Sequence, residues 1–101
     1  MHKIVYLPVA ERDLLETLEY LAAALDAPKA AADLLKEFDR TVQQIARFPY
    51  ACELYRTDRP IKDEIRKVPI KNYVLYYAVF PDYVEIRRFL HSRRDRSRGI
   101  E

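Results

Sequence analysis

The sequence predicts an α+β domain in the order β-α-α-β-β-β: an N-terminal strand, an antiparallel two-helix hairpin packed on an antiparallel sheet of three C-terminal strands, and a basic tail. Three observations carry this. Apolar residues between Val9 and Phe48 recur at helical spacing in two stripes, with one break at Asp26-Ala27-Pro28. Residues 65–95 hold three β-branched and aromatic runs separated by two short breaks. A brief apolar run, Lys3 to Leu7, precedes the helices and ends at Pro8.

Each element has its own warrant. Pro8 closes the first strand and suits the first turn of a helix, where its missing N–H costs nothing. In the first helix Leu14, Leu18, Leu21 and Leu25 form the stripe, widened by Leu15 and Ala22. Glu11, Asp13, Glu16 and Glu19 place acid toward the positive end of the helix dipole. Asp26 is a candidate cap for the second helix, with Pro28 in its first turn. Ala31, Leu35, Phe38, Val42 and Ile45 form its stripe, with Leu34 alongside, and Pro49 ends it. Two amphipathic helices joined by so short a break are antiparallel neighbours.

Residues 50–63 follow neither period and read as a long loop, a feature more often functional than idle. In the sheet, Lys71-Asn72 marks the first hairpin, with Asn72 able to take positive φ. Pro81-Asp82 marks the second. Strict alternation from Val84 puts Ile86, Arg88 and Leu90 on one face of the last strand and Arg87, Phe89 and His91 on the other. Arg93 to Arg98 then form a basic tail, either a helical turn or a frayed end.

Composition bounds the function. The 101 residues suffice for one domain with one core. Cys52 is the single cysteine, which leaves no internal disulfide or multi-cysteine metal site and suits a reducing cytoplasm. The N-terminus lacks the apolar core of a signal peptide, and no run approaches a membrane span. No cofactor or metal is expected. The net charge of +2 is unevenly placed. Residues 1–50 carry six Lys and Arg against eight Asp and Glu, and residues 51–101 carry twelve against eight. The sheet half is therefore basic, and nine of its twelve cations are Arg, the better residue for bidentate contact with phosphate or carboxylate.

An ordered set of residues carries a resemblance. Ala10 and Asp13-Leu14 open the first helix, and Phe48-Pro49 closes the second. Arg66 with Val68-Pro69, Asn72-Tyr73 and Tyr76-Tyr77 follow in the sheet. Val84-Glu85-Ile86, Leu90-His91 and Arg93-Arg94-Asp95 complete the set. Together they resemble the RelE/ParE superfamily, toxins of bacterial type II toxin–antitoxin modules, over nearly the whole chain. The resemblance implies one of two activities: RelE-like cleavage of mRNA in the ribosomal A site, or ParE-like binding and poisoning of DNA gyrase. An inactive antitoxin-binding remnant is a third possibility. It also implies a cognate antitoxin, ParD-like or RelB-like, and a hetero-oligomer with it.

Under the ribonuclease alternative His91 is the candidate acid or base, with Arg66 and Arg88 holding the phosphate. Alternation would point Arg88 and His91 to opposite faces, no general base is obvious, and no aromatic follows Arg93. The ending Leu90-His91-Ser92-Arg93-Arg94-Asp95 resembles the ParE-like branch, which is favoured. The expected target contacts are then Arg66, Arg88, His91, Arg93, Arg94, Arg96 and Arg98. His91 is equally well explained as a cap on the last strand. Leu14, Leu18, Leu21, Leu35 and Phe38 are the candidate antitoxin contacts, unless the core takes them. Tyr73, Tyr76, Tyr77 and Tyr83 are expected to pack in the sheet, and Cys52 is expected to be inert.

Overall fold

The computed structural model describes residues 1–56 and 62–93. Strand β1 (Lys3–Tyr6) leads into helix α1 (Pro8–Glu19), which runs on through a π-helical turn, Tyr20–Ala24. Helix α2 (Pro28–Arg47) follows, then strands β2 (Glu53–Leu54), β3 (Ile65–Ile70), β4 (Tyr73–Val79) and β5 (Tyr83–His91). The expected α+β order holds, and both hairpins fall at the expected breaks. The five strands form one sheet in the order β1-β5-β4-β3-β2. β1 runs parallel to β5, and the other neighbours are antiparallel. The stretch 50–63 is not all loop, since Glu53 and Leu54 pair with Lys67 and Arg66.

Both helices lie on one face of the sheet. Leu34, Phe38, Val42 and Ile45 of α2 are buried against Ile70, Leu75, Tyr77, Val84, Ile86 and Phe89. Fully burying a side chain such as Phe38 contributes about 1.5–3 kcal/mol relative to leaving it in water. The opposite face has its own cluster of Ile65, Val74, Tyr76, Ala78 and Leu90, with Tyr55 and Phe80 packed against it.

Four local expectations need correction. Leu34, at 1% exposure, leads the α2 stripe while Leu35 is 39% exposed. Leu25 is exposed as well: the π turn fits an extra residue per turn, which carries it off the stripe. Asp26 does not cap α2. It sits at φ 49°, just past the first helix, where the Ala27 N–H donates to the Leu21 carbonyl at 2.8 Å. That is the left-handed C′ position of a Schellman-type ending, usually held by Gly. At the β3–β4 turn Lys71, not Asn72, takes the positive φ, 56°.

A fifth correction bears on the site. Tyr77 pairs with Ile86 but Tyr76 pairs with Arg88, so β5 carries one extra residue, Arg87. This β-bulge breaks the alternation. Ile86 and Phe89, three apart, both enter the helix-facing core, while Leu90 joins the other cluster.

Candidate functional site: the outer end of the last strand

β1 accompanies β5 only as far as Ile86, whose carbonyl accepts the Leu7 N–H at 3.0 Å. Pro8 then diverts the chain into α1, which leaves the rest of the β5 edge without a strand partner. Asp13 fills that gap. Its Oδ2 accepts the Phe89 backbone N–H at 3.0 Å and Arg88 Nε–H at 2.7 Å, and its Oδ1 accepts Arg88 Nη2–H at 3.0 Å. One carboxylate thus caps a bare strand edge and holds a guanidinium in a bidentate clasp. The Asp13 and Arg88 side chains are only 8% and 12% exposed. The hydrogen bonds that Arg88 donates to Asp13, outweighing desolvation, hold the Arg88 pKa above its ordinary value.

Beside this clasp lies a cleft of about 240 Å³ lined by Asp13, Glu16, Thr17 and Tyr20 of the first helix and by Tyr73, Phe89, Leu90 and His91 of the sheet. His91, the last residue of β5, is exposed at its end. Its ring meets Tyr73 edge-on, with centroids 5.4 Å apart. Its Nδ1 accepts the Arg93 N–H at 3.1 Å, so in neutral His91 the proton is on Nε2, which is left to donate. Burial, with Tyr20 adding to it, pushes the Tyr73 phenol up. The arrangement presents an imidazole N–H and the exposed Arg93 to an acceptor arriving at the end of the sheet.

Arg66 lies elsewhere. It pairs in register with Tyr77, four residues along β4 from Tyr73, or roughly 13 Å of strand. Its Nη1 donates to the Cys52 carbonyl at 2.7 Å and the Tyr50 carbonyl at 3.3 Å, and its Nη2 lies 3.2 Å from Glu64 Oε1. The guanidinium also sits over the Tyr50 ring, 5.3 Å from its centroid. Tyr77 reinforces this anchor, its hydroxyl donating to the Pro49 carbonyl at 2.9 Å. Arg66 therefore ties the chain leaving α2 to the sheet.

The structure thus separates the residues that sequence grouped together. Arg66 and Arg88 face internal carboxylates and carbonyls in different places, whereas His91 and Arg93 are exposed at the end of β5. Arg94, Arg96 and Arg98 lie outside the described residues. Of the candidate antitoxin contacts, Phe38 is core at 2% exposure, Leu14, Leu18 and Leu21 are half-buried, and Leu35 is exposed. Sequence reasoning missed the partnership of Asp13. A signal existed: Asp13 lies three residues after Ala10 and beside Leu14, on the inward side of its helix, where a carboxylate needs a partner. It also missed Arg87, 7% exposed, which binds Glu85 Oε1 at 2.6 Å and Asp63 Oδ2 at 2.7 Å. Among the described residues no group of three or more His, Cys, Asp or Glu could hold a metal ion, and no helix is long and apolar enough to cross a membrane.

Comparison with known proteins adds two findings. The family model described as the ParE toxin of the type II toxin–antitoxin system, parDE, matches residues 4–96. A chain of the chromosomal ParDE TA system from P. aeruginosa superposes with a TM-score of 0.71 at 14% identity, covering 90% of this chain and 96% of that one. A search of curated proteins found no match.

Proposed function

The chain belongs to the ParE toxin family of type II toxin–antitoxin systems, and from that premise we propose that it inhibits DNA gyrase by binding, through the end of β5 and the basic sequence beyond it. A cognate antitoxin silences it. The observation that carries this reading is the division of labour among the arginines. Arg66 and Arg88 are held by internal partners, while His91 and Arg93 stand exposed where the chain enters Arg94-Asp95-Arg96-Ser97-Arg98. A cationic, hydrogen-bond-donating strand end suits carboxylate or phosphate on a large partner, and such binding weakens with salt.

The test runs two assays on the purified chain freed of antitoxin: gyrase supercoiling of relaxed plasmid, and primer extension on mRNA from a translation reaction. Lost supercoiling with intact mRNA is the expected result. Intact supercoiling with codon-positioned cuts overturns the reading and makes His91 the residue to mutate next.

A further inference from the structure

Lys71 and Asn72 form the turn between β3 and β4, and of the two only Lys71 takes positive φ, 56°. Positive φ at the first central residue alone is the pattern of a type II′ turn, a place where Gly ordinarily stands. A Cβ there carries a steric cost. Among the described residues no hydrogen bond or ion pair of the Lys71 ammonium offsets it. Asp33 lies close enough to feel its charge, but that carboxylate is already held by Lys29 Nζ at 2.9 Å. The Lys29 bond is the main cause that lowers the Asp33 carboxyl, and Lys71 and Lys36 add less. Backbone strain without internal compensation is found chiefly where a residue serves binding.

The turn stands beside the end of β5. Ile70, Tyr73 and His91 lie in register on β3, β4 and β5, so turn and strand end are within two strand spacings, roughly 10 Å. The Ser92 N–H donates to the Asn72 carbonyl at 2.9 Å and ties one to the other. Lys71, Asn72, His91 and Arg93 are all exposed at this end. The separation is about one screening length at physiological salt, so a partner docked at the strand end still feels the Lys71 charge. The surface is not the continuous basic stripe that follows a nucleic-acid backbone. Glu16 lines the adjoining cleft, and the Asp33 side chain, 44% exposed, lies near the turn. Such a mixture of signs fits a protein surface.

We propose that Lys71 is a target-contact residue: the β3–β4 turn and the end of β5 form one contact surface for the gyrase protein, and Lys71 acts in it through its ammonium charge. The strained turn holds that ammonium at the rim of the surface that His91 and Arg93 begin. The proposal rests on the gyrase-binding reading and adds to it a residue outside the last strand and the basic tail.

The test compares the wild-type chain with Lys71→Asn, Lys71→Gly and Lys71→Arg in gyrase supercoiling, in binding to gyrase without DNA, and in melting temperature. Asn and Gly both accept positive φ. Those two variants are expected to keep or raise the melting temperature while inhibition and binding weaken about five-fold, the size of one exposed charge contact. A lysine with a merely structural role would not exchange potency for stability in this way. Lys71→Arg keeps the charge and is expected to stay within about two-fold of wild type. The gap between wild type and Lys71→Asn should narrow as salt is raised. If wild type inhibits and the Asn and Gly variants inhibit equally well, the Lys71 proposal alone falls. A wild-type chain that leaves gyrase active overturns the gyrase reading together with it. A loss seen only when DNA is present assigns Lys71 to phosphate and overturns the contact with gyrase protein. An Arg variant as weak as the Asn variant shows that charge is not what acts, and overturns the proposal too.

Discussion

Asp13 and Arg88, 75 residues apart in sequence, meet with Oδ2 and Nε 2.7 Å apart, and the same carboxylate oxygen holds the Phe89 N–H. This clasp fastens α1 to the half of β5 that β1 does not reach. It is the joint between helix hairpin and sheet on that side of the molecule.

Removing one partner breaks a buried, hydrogen-bonded charge pair. Asp13→Ala or Arg88→Ala is expected to cost about 3–5 kcal/mol. The double change Asp13→Leu with Arg88→Met is expected to cost much less than the two together, because no unpaired charge remains. Urea denaturation of the four proteins checks this. Strictly additive losses would show that the two side chains do not act as a pair.

Tyr77 links pH to stability. Burial, with the nearby Cys52 thiol adding to it, raises its phenol well above the ordinary value, and Tyr6 and Tyr73 shift the same way. The folded chain thus holds these protons more tightly than the unfolded chain. Their contribution is full below about pH 10, where an unfolded tyrosine titrates, and is lost as pH rises above it. Tyr77→Phe should cost about 1 kcal/mol at neutral pH by losing the bond to Pro49 and should flatten the alkaline decline. Unfolding midpoints at pH 8 and pH 11 measure both effects.

Arg66 and Arg93 should separate stability from activity. Arg66→Ala removes bonds to the Cys52 and Tyr50 carbonyls and is expected to cost about 2 kcal/mol. The Glu64 pair adds little, since that carboxylate is 66% exposed. Arg93→Ala with Arg94→Ala should leave stability within about 0.5 kcal/mol and reduce gyrase inhibition at least ten-fold. If the latter variant inhibits fully, the contact region lies elsewhere.

Lys71 holds φ 56° in a two-residue hairpin. Glycine reaches that region without a steric penalty from Cβ. Lys71→Gly is therefore expected to stabilise the fold, by about 0.5–1 kcal/mol after allowing for the greater freedom of glycine when unfolded. A lower melting temperature in this variant would show that the lysine makes a compensating contact.

The sequence by itself determined the element order and most of the boundaries, because these follow from local chemistry. Leu14, Leu18 and Leu21 recur at helical spacing, Pro8 and Pro28 open helices, and Lys71-Asn72 and Pro81-Asp82 break strands. It also located the end of the last strand, since His91 and Arg93 follow directly from where the last apolar run stops, while the exposure of His91 there came from the structure. Only the tertiary structure decided which arginines are spent inside the fold. Arg66, Arg87, Arg88 and Arg93 look alike in a sequence, yet the first three find carboxylates or carbonyls supplied from elsewhere in the chain. Two features of the last strand were likewise beyond a period-two reading: the bulge at Arg87, and the parallel pairing of β1 with β5. Both depend on what the rest of the chain sets beside β5, and alternation along one strand cannot specify its neighbour.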